Sequence, residues 1–129
     1  MRWQDIHRLT TVFLHWFCHH FTRSSGMDCQ LPFDQHLILS AIAPRLLFIA
    51  SAVDDRLSDP PGEFASGCLA SKVYRLLGSE GLPTDVMPAP GSPLFGRISY
   101  QIRPGGHDDQ NCDWEQYLDF LDRYSWRSM

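Results

Sequence analysis

Two neighbouring acids, Asp54-Asp55, and a histidine behind two glycines, Gly105-Gly106-His107, are the groups of this 129-residue chain best suited to moving protons. Each follows a strand-like run: Leu46-Leu47-Phe48-Ile49-Ala50 before the acids, and Ile98-Ser99-Tyr100-Gln101-Ile102 before the histidine. An imidazole can take a proton from a nucleophile and return it to a leaving group. A carboxylate behind it fixes the tautomer and stabilises the imidazolium. Acid first and histidine second is the order of the last two members of a Ser…Asp/Glu…His triad. In open α/β sheets the working residues sit on loops at the carboxyl ends of strands, which is where both sets fall. Glycines ahead of His107 let the loop bend tightly. The spacing does not choose between Asp54 and Asp55. A plainer reading also stands: acids that solvate a loop, and a surface histidine.

The elements around these groups follow from apolar spacing. Trp3, Ile6, Leu9, Val12, Phe13, Trp16 and Phe17 predict a helix over Arg2–Phe21. Arg23–Gln30 is polar and reads as a loop. Asp34 is a good N-cap for a short buried helix over Gln35–Ala43, which Pro44 ends. Leu46–Ala50 has no alternation, the pattern of a strand buried on both faces. Pro60-Pro61-Gly62 reads as a turn, Glu63–Leu77 as a helix closed by Gly78, and Gly81–Gly96 as a loop. Ile98–Ile102 alternates as a second strand. Asp113 is placed to cap a last helix, Trp114–Arg123, with Trp114, Tyr117, Leu118 and Leu121 packed on one face. Strand, helix, strand is a βαβ unit with a parallel pair. Two strands leave apolar edges unpaired, so the chain reads as the last part of a larger α/β protein.

Composition narrows the function classes. At 43% hydrophobic and 20% charged the chain is that of a single globular domain, here taken as residues 1–129. The net charge is −4, and Lys72 is the sole lysine, so no basic patch suggests nucleic acid. No apolar run is long enough for a membrane helix. Met1-Arg2 and Arg8 before Leu9–Cys18 sketch a short export signal. Two threonines and His15 interrupt it, and His19-His20 stand where small residues should be, so no signal is expected. Cys18, Cys29, Cys68 and Cys112 are spaced for neither a zinc ribbon nor a disulfide framework. His15 and His19, four apart on the predicted helix, could ligate zinc, but no third ligand is evident, and packing around Trp16 and Phe17 is preferred. No metal or cofactor is expected. Arg45 is expected to pair with a carboxylate, and His36 is read as structural rather than as a site residue.

Several segments together resemble one family. They are Trp16-Phe17, Leu31-Pro32-Phe33-Asp34-Gln35-His36, Ala43-Pro44-Arg45, Ala50-Ser51-Ala52, Asp59-Pro60, Gly62-Glu63-Phe64, Val73-Tyr74, Leu76-Leu77-Gly78, Arg103-Pro104-Gly105-Gly106-His107-Asp108 and Asp113-Trp114. In this order, over roughly Arg8 to Tyr124, they are similar to the C-terminal part of bacterial glucuronoyl esterases of carbohydrate esterase family 15, often labelled acetyl xylan esterases. The second and the Arg103–Asp108 segments are the specific ones.

The resemblance implies the C-terminal segment of an α/β-hydrolase, with the last two parallel strands and their flanking helices. It implies a serine esterase for 4-O-methyl-glucuronic acid esters, such as those of plant cell walls, with a polysaccharide-linked ester as its partner. His107 corresponds to the family's histidine and Asp55 to the acid of some members; others take a Glu from an earlier strand outside this chain. Trp16 is implied to line the substrate cleft, with a core role as the alternative. The family is usually exported.

Three departures stand out. No Gly-x-Ser-x-x-Gly elbow occurs in the 129 residues, so the nucleophile half is read as absent, and the sequence leaves open whether Met1 is the ancestral start. Leu57 stands where many members have a sugar-stacking Trp, which favours an acetyl esterase-like alternative. Leu14 stands where a Pro usually precedes the aromatic pair. These residues alone are expected to be inactive. They are also expected to self-associate through the open sheet edge, or to serve as a non-catalytic interaction module through that edge.

Overall fold

The computed structural model describes residues 5–124. Five helices and two strands follow in the order α1 (Ile6–Val12), α2 (His19–Thr22), α3 (Gln35–Ser40), β1 (Leu47–Ala52), α4 (Pro60–Leu76), β2 (Ile98–Arg103) and α5 (Asn111–Tyr124), with short 3-10 turns at Leu14–Trp16 and Asp28–Gln30. β1 and β2 pair in parallel, Leu47 opposite Ile98 through Ala52 opposite Arg103.

Alternation divides the sheet into two faces. Ile98, Tyr100 and Ile102 join Leu47 and Ile49 against α4, whose Phe64, Ala70 and Tyr74 complete the core. Tyr100 meets Phe64 edge to face at 5.0 Å. Gly67 lets α4 approach closely: a Cβ there would lie 3.1 Å from Ile49 Cδ1 and 3.0 Å from Leu82 Cδ1. The opposite face carries Phe48, Gln101 and Arg103 toward α5. Phe48 packs on Phe120 at 5.3 Å and Tyr117 at 5.7 Å. Every residue of β2 is buried, polar ones included. α3 lies against α4, with Leu39 and, just beyond the helix, Ala43 reaching the core.

The structure changes several expected elements. The single helix over Arg2–Phe21 breaks into α1, a 3-10 turn and α2; residues 2–4 of that span lie outside the described residues. Thr10 and Thr11 end α1 by bonding their hydroxyls back to Ile6 O and His7 O, and Phe13 leaves helical geometry to stack on Trp16 at 4.2 Å. α3 stops at Ser40, and none of its residues is buried; Leu37 and Ile38 are exposed. β1 is only half-buried over most of its length, because β2 is its one partner among the described residues. α4 starts at Pro60, not Glu63: Pro60 and Pro61 occupy the first turn, where no intrahelical N–H donor is required. In α5 it is Phe120 that is buried, while Trp114 and Leu118 are exposed. Asp113 is not the cap: it lies inside the first turn and reaches back to accept from Gln110 N–H at 2.9 Å, half of a capping box. Arg45 donates to Ile42 O at 3.2 Å, not to a carboxylate.

Candidate active site

The parallel ladder does not stop at the strand ends. Val53 N–H donates to Arg103 O at 2.9 Å, and Asp54 N–H to Gly105 O at 2.9 Å. These two bonds lace the loop after β1 to the last residue of β2 and the loop that follows it. One residue further on, Asp55 Oδ2 and His107 Nδ1 lie 2.7 Å apart. Sheet pairing therefore brings together two groups 52 residues apart in sequence.

The pair is asymmetric. The Asp55 side chain is 11% exposed and that of His107 is 86% exposed. Ser58 completes the acid's surroundings: its Oγ donates to Oδ2 at 2.7 Å and its N–H to Oδ1 at 3.4 Å. Burial alone would push the Asp55 carboxyl up; the hydrogen bonds from His107 and Ser58 outweigh it and hold the group below the usual aspartate value. The bond to Asp55 raises His107 above the ordinary histidine value; Asp108 and Asp109 add to this, and the small burial opposes it. With Nδ1 engaged, Nε2 is the nitrogen left for a reacting group. Asp54 is exposed and bonds through its backbone rather than its carboxylate.

An open cavity of about 460 Å³ lies beside the pair, lined among others by Ser51, Ser58, Glu63 and Arg103. Ser51 Oγ donates to Glu63 Oε2 at 2.5 Å. Burial and the nearby negative charges of Asp55 and Asp59 push the Glu63 carboxyl up, against the Ser51 bond. The Tyr100 hydroxyl behind them is pushed up to about 12 by burial and donates to Pro60 O at 3.2 Å.

The remaining candidates are placed elsewhere. Trp16 does not line this cavity; among the described residues it is 61% exposed and stacks on Phe13. Leu57 sits half-buried in the turn between Asp55 and Ser58, without lining the cavity. His15 lies in the 3-10 turn and His19 opens α2, so the two do not share a helix face. His36 Nδ1 is 4.0 Å from the carboxylate of Asp34, whose Oδ1 accepts from Gln35 N–H to cap α3. Ser58 carries no sequence signal beyond its place in a polar turn, where Asp and Ser are both favoured. Glu63 and Arg103 stand in family-like segments, but their partners are set by tertiary contacts that the sequence does not show.

The family described as "Glucuronyl esterase, fungi" matches residues 2–78. A curated carbohydrate esterase from an unknown prokaryotic organism is 39% identical over 121 residues, which is 94% of this chain and 28% of that protein. A promiscuous CE15 esterase from a marine bacterial metagenome superposes with a TM-score of 0.89 at 39% identity, over 93% of this chain and 30% of the other. A glucuronoyl esterase from Solibacter usitatus superposes with a TM-score of 0.84 at 41% identity, over 90% of this chain and 30% of the other. The chain thus spans under a third of the length of these relatives.

Proposed function

Because this chain belongs to the glucuronoyl esterases of carbohydrate esterase family 15, we propose that it carries the acid–base half of a serine ester-hydrolase site, with His107 as general acid/base and Asp55 as its orienting acid. The observation that carries this reading is the 2.7 Å contact between His107 Nδ1 and Asp55 Oδ2 at the carboxyl ends of two parallel strands.

In this mechanism His107 Nε2 accepts the proton of a serine hydroxyl as its oxygen attacks the ester carbonyl. The imidazolium then protonates the departing alcohol. Water is deprotonated in the same way to release the acid and free the serine. Serine and oxyanion donors belong to the part of the family's length that this chain does not span, so these 129 residues alone are inactive. The substrate class is a uronic-acid ester attached to a polysaccharide. This is supported by the name of the Solibacter relative. Leu57 in the acid loop supports a second reading in which the ester is an acetylated sugar, since an aliphatic residue offers no aromatic face to a pyranose ring.

The test is a chimera: this chain replaces the matching 30% of the Solibacter relative. Methyl glucuronate and an acetylated xylose are offered as separate substrates. Hydrolysis is expected, and His107→Ala should lower kcat by about 10⁴-fold or more. A folded chimera that hydrolyses neither ester, or one indifferent to His107→Ala, would falsify the assignment. The ratio of the two rates decides between the substrates.

A further inference from the structure

His107 is a largely exposed ring. Asp55 fixes one end of it, and the rest of its placement is set by the backbone that carries it. That backbone is wrapped around a buried guanidinium. Arg103, the last residue of β2, sends Nη1 to Pro104 O at 3.1 Å and Nη2 to Gly106 O at 3.3 Å; Nη2 also bonds Asp108 O. The carbonyls of Gly106 and Asp108, the residues on either side of His107, are therefore held by one nitrogen. Gly105 makes the wrap possible: its φ is +99°, and a Cβ there would come within 3.1 Å of Nη1.

The guanidinium is itself held. Arg103 Nε donates to Asp113 Oδ2 at 2.7 Å. The same oxygen accepts from Gln110 N–H at 2.9 Å, and Oδ1 accepts from Gln101 Nε2 at 2.6 Å. The side chains of Arg103 and Asp113 are only 8% and 14% exposed. Strand β2, the start of α5 and the His107 loop thus meet at one ion pair. A lysine could keep the charge but not the planar fork that reaches an acid on one side and three carbonyls on the other.

We propose that Arg103, oriented by Asp113, is the positioning residue that holds the His107 loop so that the imidazole meets Asp55. Its bearing on ester hydrolysis rests on the function proposed above; its bearing on His107 does not.

The experiment is a histidine NMR titration of the full chain with labelled histidines, the His107 signal being assigned by its loss in His107→Gln. Arg103→Lys and Asp113→Asn should each bring the His107 pKa down toward the ordinary value. In the chimera both should lower kcat by about 10- to 100-fold with KM little changed, as expected for a misplaced acid–base group. An unchanged His107 titration in the folded variants overturns the proposal. So does global unfolding of both, which would make the pair a support of the domain rather than of the loop. An inactive chimera together with a shifted titration would remove the esterase reading and leave the positioning role standing.

Discussion

At the scale of single residues, Asp55 and His107 make a prediction about pH. His107 titrates above its ordinary value in the folded chain, so its stabilising contribution is fully present below about pH 6.5 and is lost as pH rises through the raised value. Asp55 titrates below its ordinary value, so its contribution is present above about pH 3.9 and is lost as pH falls through the lowered value. The pair therefore stabilises the fold most in the acid-to-neutral window between these limits. Asp55→Asn should lower the His107 pKa and flatten this part of the stability profile, as read by thermal melts across pH. A His107 titration that ignores Asp55→Asn would show that the contact does not persist in solution. The chemical types and their order were legible in the sequence, because each group follows a run that reads as a strand. The choice of Asp55 over Asp54 was not, since it depends on where two backbone bonds end the ladder. The ion pair of Arg103 with Asp113 was equally hidden, because Asp113 also satisfies the local pattern of a helix cap.

At the scale of elements, β2 is the best buried piece of the fold, and the loop that leaves α4 on the way to it is held by close backbone approach. Ser71 in α4 donates to Gly67 O at 2.9 Å and accepts from Leu82 N–H at 2.9 Å. A Cβ on Gly81 would overlap the Ser71 side chain and lie 2.8 Å from its Cα. Gly81→Ala should therefore destabilise the chain by about 1–3 kcal/mol, measured by urea unfolding; a neutral effect would mean that this loop is free to move off α4. The sequence announced α4, β2 and α5 through their apolar spacing, and their ends shifted where capping chemistry overrode it. The N-terminal segment misled because its apolar spacing suits a helix, while Thr10-Thr11-Val12 supplies a β-branched run that weakens one. The continuous apolar run of β1 correctly marked a strand. The two-sided burial it implies needs more neighbours than β2 alone can give.

At the scale of the whole molecule, the described residues leave one edge of β1 without a strand beside it, and Leu37, Ile38, Trp114 and Leu118 are exposed. Such an edge is a template for pairing with another chain. The isolated 129 residues should sediment with a mass above 14.8 kDa that rises with concentration. A monomer with a sharp, reversible thermal transition would remove this prediction. The family's segments were readable across most of the chain because they stand in the family's order and two of them, Leu31–His36 and Arg103–Asp108, are specific, whereas nothing in them says what lies against β1. The lacing of residues 53–54 to residues 103–105 also bears on inheritance. Acid and histidine are carried by a single contiguous stretch whose own backbone sets their separation. A genetic crossover upstream of Leu47 would transfer the pair intact into another gene. One falling between Asp55 and Arg103 would join an acid from one parent to a histidine from another, and the two would meet only if both parents shared the same strand register.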